Sequence, residues 1–214
     1  MSSGPRADAG RSRFRSPRAW SLRARLLASQ IVLLALVCAA IGAWNGWTWY
    51  QRSQAAQAAV LYDTLQKAAR ANDLKTTRET AGAILENFPR SAYAPLAALV
   101  SAKVQFQAGD LKTARAQLQW VIEHAGSDEI RSIATLRLAS VLLDDNEPDA
   151  ALKILEAKPH PGFEALYASQ RGDILATQKR RSEARASYKA ALEKAEAGAL
   201  RDTLRLKLEA LGDG

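Results

Sequence analysis

Few side chains in this sequence are of types and spacings that could do chemistry. The two histidines are His124, at a predicted helix end, and His160, between Pro159 and Pro161. They read as a charge partner for a helix C-terminus and as a loop residue, rather than as metal ligands. Asp144, Asp145, Glu147 and Asp149 cluster on one turn, but that turn carries Pro148 and no glycine where a calcium loop needs its sharp bend. A solvated acidic turn is the expectation. Cys38 is the only cysteine, so no intramolecular disulfide can form, and Val37 stands immediately before it where lipidation needs a small residue. No H-E-x-x-H, P-loop, G-x-S-x-G or EF-hand pattern occurs. No catalytic, cofactor or metal site is expected, and the chain reads as a binding protein and not an enzyme.

The elements that would position a binding surface begin with the stretch RLLASQIVLLALVCAAIGAWNGWTWYQR, residues 25–52. From 26 to 50 there is no charged residue, and about 20 apolar residues in a helix span the hydrocarbon layer. Arg23 and Arg25 flank one end, while Trp44, Trp47, Trp49 and Tyr50 form an aromatic belt at the other. Small residues at 38–42 resemble a signal-peptide cleavage site. A polar mature start does not follow them, so the run is read as a retained signal anchor. The formal net charge of +8 divides into +6 over residues 1–25, none over 26–50 and +2 over 51–214. The positive-inside bias therefore places the N-terminus in the cytoplasm and the C-terminal part across the membrane. The basic charge is a topology signal with attraction for anionic lipid, not a nucleic-acid-binding face. The expected division is a basic cytoplasmic tail (1–25), a transmembrane anchor (26–50) and an exported domain (51–214).

The exported domain is rich in Ala, Leu, Glu, Lys, Gln and Arg with few β-branched runs, so it is predicted to be all helix. Breaks fall at 71–73, 88–91, 108–110, 125–128, 144–148, 158–162, 178–182 and 197–198. Pro148 and Pro161 suit a first helical turn, with Asn146 as a cap, and Gly109, Gly126 and Gly198 suit left-handed helix ends. Ala114, Ala151 and Ala184 share one register, and twelve residues before each stands Ala102, Ala139 or Gly172. Small residues on facing helices predict the close crossing of a helix hairpin. Leu118, Leu155 and Tyr188, four residues beyond the alanines, would fill the space between hairpins. Helix 52–71 and residues 73–89 form a fourth, degenerate hairpin, and the stripe Leu200, Leu204, Leu208, Leu211 marks a capping helix.

These units resemble the tetratricopeptide repeat, with its roughly 34-residue period, small residue early in helix A, glycine at the turn and alanine early in helix B. The expected fold is thus all-α: a single N-terminal transmembrane helix, then a tetratricopeptide-repeat-like α-solenoid of about four helix hairpins and a C-terminal capping helix. By that resemblance helix A lines the ligand face, on Leu96, Leu99, Lys103, Phe106 and Gln107; Ile133, Leu136, Ser140, Leu143 and Asp144; Leu166, Ser169, Asp173, Ala176 and Thr177. Lys103, Phe106, Gln107, Ser140, Asp173 and Thr177 are the candidate groove residues. The set is mostly apolar and lacks a Lys/Arg/Asn clamp for a peptide carboxylate, which suggests a groove for hydrophobic or extended protein segments.

The order of tail, span and hairpins, with the phrases at 88–125, 134–158 and 163–194, also resembles the YfgM-type family, the ancillary subunits of the SecYEG translocon. That resemblance covers about residues 42–211. It implies an adaptor in the bacterial inner membrane with a periplasmic domain, working beside the translocon and a membrane-anchored periplasmic foldase on emerging, unfolded exported proteins. The arginine-rich stretch at 6–20 departs from the family's usual mixed-charge start. A second reading of the same array is a scaffold for an outer-membrane assembly or cell-division complex, and a third is a holdase that binds unfolded clients directly.

Overall fold

The computed structural model describes residues 22–212, with the side chains of 22–29, 31–32 and 50–52 outside the description. Residues 1–21 of the expected cytoplasmic tail therefore lie outside the described residues, as do the side chains of 26–29, 31–32 and 50 within the expected span. Among the described residues no helix is long and apolar enough to cross a membrane. The chain divides into two units, Met1–Gln51 and Arg52–Gly214.

Among the described residues every regular element is helical: α1 (Leu22–Arg70), α2 (Leu74–Asn87), α3 (Tyr93–Gln107), α4 (Leu111–His124), α5 (Asp128–Asp144), α6 (Pro148–Ile154), α7 (Glu164–Thr177), α8 (Arg181–Lys194) and α9 (Ala199–Ala210). In the first unit, the α1 side chains Leu33, Leu34, Leu36, Val37, Ile41, Trp44, Trp47 and Trp49 are all exposed. In the second unit the end of α1 folds with α2, and the pairs α3–α4, α5–α6 and α7–α8 follow as hairpins, with α9 packed on α8. Three clusters of buried side chains succeed one another along this array.

Each hairpin closes over one buried triplet. Ala102, Ala114 and Leu118 fill the second hairpin, and Ala139, Ala151 and Leu155 the third, none more than 2% exposed. In the fourth, Gly172 on α7 faces Ala184 and Tyr188 on α8, and a Cβ added at Gly172 would come within 3.0 Å of three atoms of the Tyr188 ring. The first hairpin reverses the order of size, with Leu65 on α1 against Thr77 and Ala81 on α2, all fully buried. Bulk removed from the first helix is thus supplied by the second, as close packing requires.

The corners are of two kinds. Within a hairpin, Asn72, Gly109, Asn146 and Lys179 all take positive φ (54°, 82°, 61° and 60°). The next amide in each case donates back five residues: Asp73 to the Ala68 carbonyl (3.0 Å), Asp110 to Gln105 (2.9 Å), Glu147 to Leu142 (2.8 Å) and Arg180 to Leu175 (2.9 Å). This is the six-to-one bond of a Schellman ending, repeated four times. Asn146 is therefore not the cap of α6 but the left-handed residue before it, and Glu147 occupies the cap position. After α4 and α8 the chain leaves the helix through an extended residue instead, Ala125 and Ala195, whereas α2 ends on Phe88 (φ −131°, ψ 44°) and α6 on Leu155 in the α region. Gly126 consequently needs no positive φ, whereas Gly198 (φ 134°) does have one, at the start of α9. An arginine six residues on holds each such carbonyl, with Arg131 to Ala125 and Arg201 to Ala195 both at 2.9 Å. Pro148 begins α6 as expected. Pro161 lies outside the first turn of α7, because Glu164 reaches back to accept from the Gly162 amide (2.7 Å) and the helix begins there.

Ion pairs link successive hairpins. Arg78 on α2 meets Asp110 at the next corner (2.6 Å), and Arg115 on α4 meets Glu147 (2.8 Å). At the third junction the equivalent positions are Leu152 and Arg180, and Arg180 pairs with its own neighbour Glu183 (2.6 Å). The corner carboxylates also cap helices: Thr76 and Thr113 donate their amides to Asp73 (3.0 Å) and Asp110 (3.1 Å). Hydroxyl and then amide donation from these threonines holds both carboxyls below the ordinary carboxylate range.

Gly172→Ala should lose about 1–3 kcal/mol through overpacking, despite the roughly 0.5–1 kcal/mol that alanine ordinarily gains in a helix. Combining it with Tyr188→Leu recreates the Ala139/Leu155 pair and should recover much of that loss. Urea unfolding of the single and double variants measures this coupling, and simple additivity would contradict a shared volume. A carboxyl depressed on folding contributes its full stabilisation above its unfolded value and loses it as pH falls through the folded one. Asp73→Asn with Asp110→Asn should therefore lower the thermal midpoint at neutral pH and converge with the wild type below the ordinary value of 3.8. A gap that stayed constant with pH would rule out this role for the two carboxylates.

Candidate protein-binding groove

The first helix of each hairpin presents one column of side chains at equivalent positions: Gln66 on α1, Lys103 on α3, Ser140 on α5 and Asp173 on α7. They recur because each hairpin repeats its corner 37, 37 and 33 residues on, at 72, 109, 146 and 179. Two clefts open beside this column. One of about 380 Å³ lies between α3 and α5 and is lined by Lys103, Phe106, Gln107, Arg137 and Ser140 over a floor of Ala102, Leu118 and Val141. The other, of about 680 Å³, is bounded by Tyr62, Gln66 and Arg70 of α1, Leu96, Leu99, Lys103 and Gln107 of α3, and Ile133 and Arg137 of α5. Lys103, Gln107 and Arg137 line both.

The structure thus brings four of the six candidate residues, Lys103, Phe106, Gln107 and Ser140, to one cleft. Phe106 is half-buried and also packs against the main core cluster. Ser140 donates to the Leu136 carbonyl (3.4 Å) and accepts from Gln170 (3.1 Å), so its hydroxyl is already engaged. Asp173 and Thr177 lie apart, on α7. The Thr177 hydroxyl turns back to the Ile174 carbonyl (2.7 Å). Asp173 accepts from Lys207 of α9 at both oxygens (2.7 Å each) and from the Tyr188 hydroxyl (2.7 Å). Lys207 also lies 5.6 Å from the centre of the Tyr188 ring, within cation–π range. Burial first, then the bond to Asp173, pushes the Tyr188 phenol up, so it stays a protonated donor. The capping helix closes the fourth station of the column.

Of the other helix-A positions, Leu99 is buried, while Ile133, Leu136 and Leu143 are partly buried against the core. Leu166 is exposed. Asp144 is exposed at the end of α5 and lines neither cleft. Two residues that the sequence did not single out, Arg70 and Arg137, join Lys103 around the clefts. Arg137 also holds the Leu99 carbonyl (3.2 Å) and Arg70 the Gln66 amide oxygen (3.3 Å). Their signal was available in principle, since Arg137 lies one position from a core leucine on a helix already assigned to the groove. The two histidines take structural places: His124 stacks on Trp120 (4.6 Å between ring centres) and His160 sits edge-on to Phe163.

Residues 25–213 match the family model of the tetratricopeptide repeat-like domain. Among curated proteins, the chain is 32% identical over 181 residues to the ancillary SecYEG translocon subunit of Neisseria gonorrhoeae, an alignment covering 82% of this chain and 86% of that one. It is 27% identical over 168 residues to the protein of that name from Escherichia coli (78% of this chain, 81% of that one). The Haemophilus influenzae protein of the same name is 30% identical over 148 residues (67% and 70%).

Lys207→Met keeps the hydrocarbon stem over Tyr188 and removes the charge from Asp173. A part-exposed pair of this kind contributes about 1 kcal/mol or less, so the global midpoint should move little. Amide hydrogen exchange in α8 and α9 should speed up while α3–α5 stay unchanged. Uniform acceleration across the domain would show that α9 is not a local cap.

Proposed function

We propose, for a chain that belongs to the tetratricopeptide repeat-like family of ancillary SecYEG translocon subunits, that it is a membrane-anchored adaptor acting at the SecYEG translocon during protein export. The observation that carries the reading is its identity to the Neisseria gonorrhoeae subunit over most of both chains. A helical-hairpin array fits such a role, because stacked hairpins present an extended side-chain surface without needing a catalytic centre.

The reading places the protein in the inner membrane as a single-pass anchor, with residues 1–25 cytoplasmic, 26–50 in the bilayer and 51–214 in the periplasm. Support comes from the uncharged run and its aromatic belt, from seven arginines against one aspartate before it, and from the exposed apolar side chains of α1 between 33 and 49. The arginine-rich tail would sit against anionic lipid of the cytoplasmic leaflet. A membrane-anchored periplasmic foldase and unfolded exported proteins are the further partners that this placement suggests, the latter through the groove of α3 and α5.

Purification of the full-length protein from its native membrane in mild detergent should recover translocon subunits, and replacement of 26–50 by an unrelated span tests whether the anchor takes part. Recovery of outer-membrane assembly or cell-division proteins alone would overturn the translocon reading in favour of a scaffold. Protease added to spheroplasts should degrade the domain 51–214, and protection of that domain would refute a periplasmic placement.

A further inference from the structure

We infer that the two adjoining clefts form an anion-selective groove that takes an extended polypeptide segment carrying carboxylates between apolar side chains. This deepens the adaptor reading and rests on it.

The balance of charge around the clefts is one-sided. Arg70, Lys103 and Arg137 line them, and neither cleft has an aspartate or glutamate in its wall. Elsewhere in the array several cations meet carboxylates, Arg78 with Asp110, Arg115 with Glu147, Arg131 with Asp128, Arg180 with Glu183 and Lys207 with Asp173, while Arg171 and Arg201 reach main-chain carbonyls. None of the three groove cations is paired with a carboxylate among the described residues. Arg70 and Arg137 reach neutral oxygens, on Gln66 and Leu99, and Lys103 is exposed. The nearest anionic member of the helix-A column, Asp173, is neutralised by Lys207. The groove therefore offers uncompensated positive charge against apolar walls of Leu99 and Phe106, where an incoming carboxylate gains a partner with few competing anions nearby.

Continuity of the clefts selects the shape of the occupant. Because they share Lys103, Gln107 and Arg137, one ligand can enter both. An extended segment puts every second side chain on one face, about 7 Å apart, so successive residues on that face can reach successive clefts. Main-chain groups of the same segment lie within the ambit of the exposed Gln107 amide, which has both donor and acceptor capacity. A segment alternating apolar and acidic residues meets both demands.

The test uses the full-length chain in detergent micelles and three fluorescein-labelled peptides of about ten residues, alternating Leu with Glu, Gln or Lys. Fluorescence anisotropy should show the Leu/Glu peptide binding about tenfold or more tightly than the other two, with the advantage shrinking as salt rises from about 50 to 500 mM. Lys103→Glu lies on an exposed helix position, and circular dichroism checks that it folds. It should weaken the Leu/Glu peptide by about tenfold or more and leave the Leu/Gln peptide nearly unchanged, whereas Phe106→Ala should weaken both. Equal affinity for the three peptides, or an acidic peptide indifferent to Lys103→Glu, would overturn the inference. If no peptide binds although translocon subunits co-purify, the groove inference fails and the adaptor reading stands. If the acidic peptide binds with the expected variant pattern and no translocon subunit is recovered, the groove is upheld and the adaptor reading fails.

Discussion

Each hairpin depends on a single shared volume between its two helices. Only a small total of side chain fits where the axes cross, and the four hairpins divide that total differently, from Leu65 against Ala81 to Gly172 against Tyr188. The corner geometry follows from it. Helices that approach this closely must reverse within a few residues, which is why all four inner corners use a left-handed residue and the same backward hydrogen bond. Asparagine and glycine tolerate that conformation readily, while Lys179 adopts it at a steric cost that the surrounding structure must offset.

Stacking of one hairpin on the next uses a different chemistry. The outer corners after α4 and α8 are extended and are held by long arginine side chains, and the first two junctions add ion pairs between an arginine of one second helix and the acidic residue of the following corner. The apolar helix-to-helix contact is therefore confined to the interior, and the charged residues mark where one unit ends and another begins. The groove arises where this pattern is incomplete. On the open face of α1, α3 and α5 the cations have no carboxylate opposite them, and at α7 the capping helix brings its own lysine to the lone aspartate. The open clefts thus lie among the first three hairpins, with the fourth station covered by α9.

Much of the architecture was legible in the sequence because it rests on local spacing. The alanine register, the twelve-residue offset to Ala102, Ala139 and Gly172, and the leucine stripe of α9 are all patterns of fixed interval, and each appears as a hairpin crossing or a cap. Individual corners were less legible. Asn146 looks like a helix cap by residue type and is instead the left-handed residue, since the demands of the corner outweigh a preference shared by both roles. Gly126 and Pro161 were misplaced because extended outer corners and a reaching glutamate are decided by tertiary contacts. Of the groove, the helix-A positions followed from the repeat, but Asp173 could not be assigned without Lys207, thirty-four residues away. The clustering of Arg70 and Arg137 with Lys103 likewise needs three helices to be placed first.

The break in the chain of junction ion pairs has a bearing on how such an array can change over time. Hairpins one and two each present an arginine to an acidic corner, but Leu152 and Arg180 have exchanged the character of both partners at the third junction. A hairpin moved from an early to a late position by duplication or recombination would set two arginines against each other, and the reverse exchange would leave a carboxylate facing leucine. The units look interchangeable in outline, yet their charged edges differ, and only the present order of hairpins places each junction arginine opposite a carboxylate.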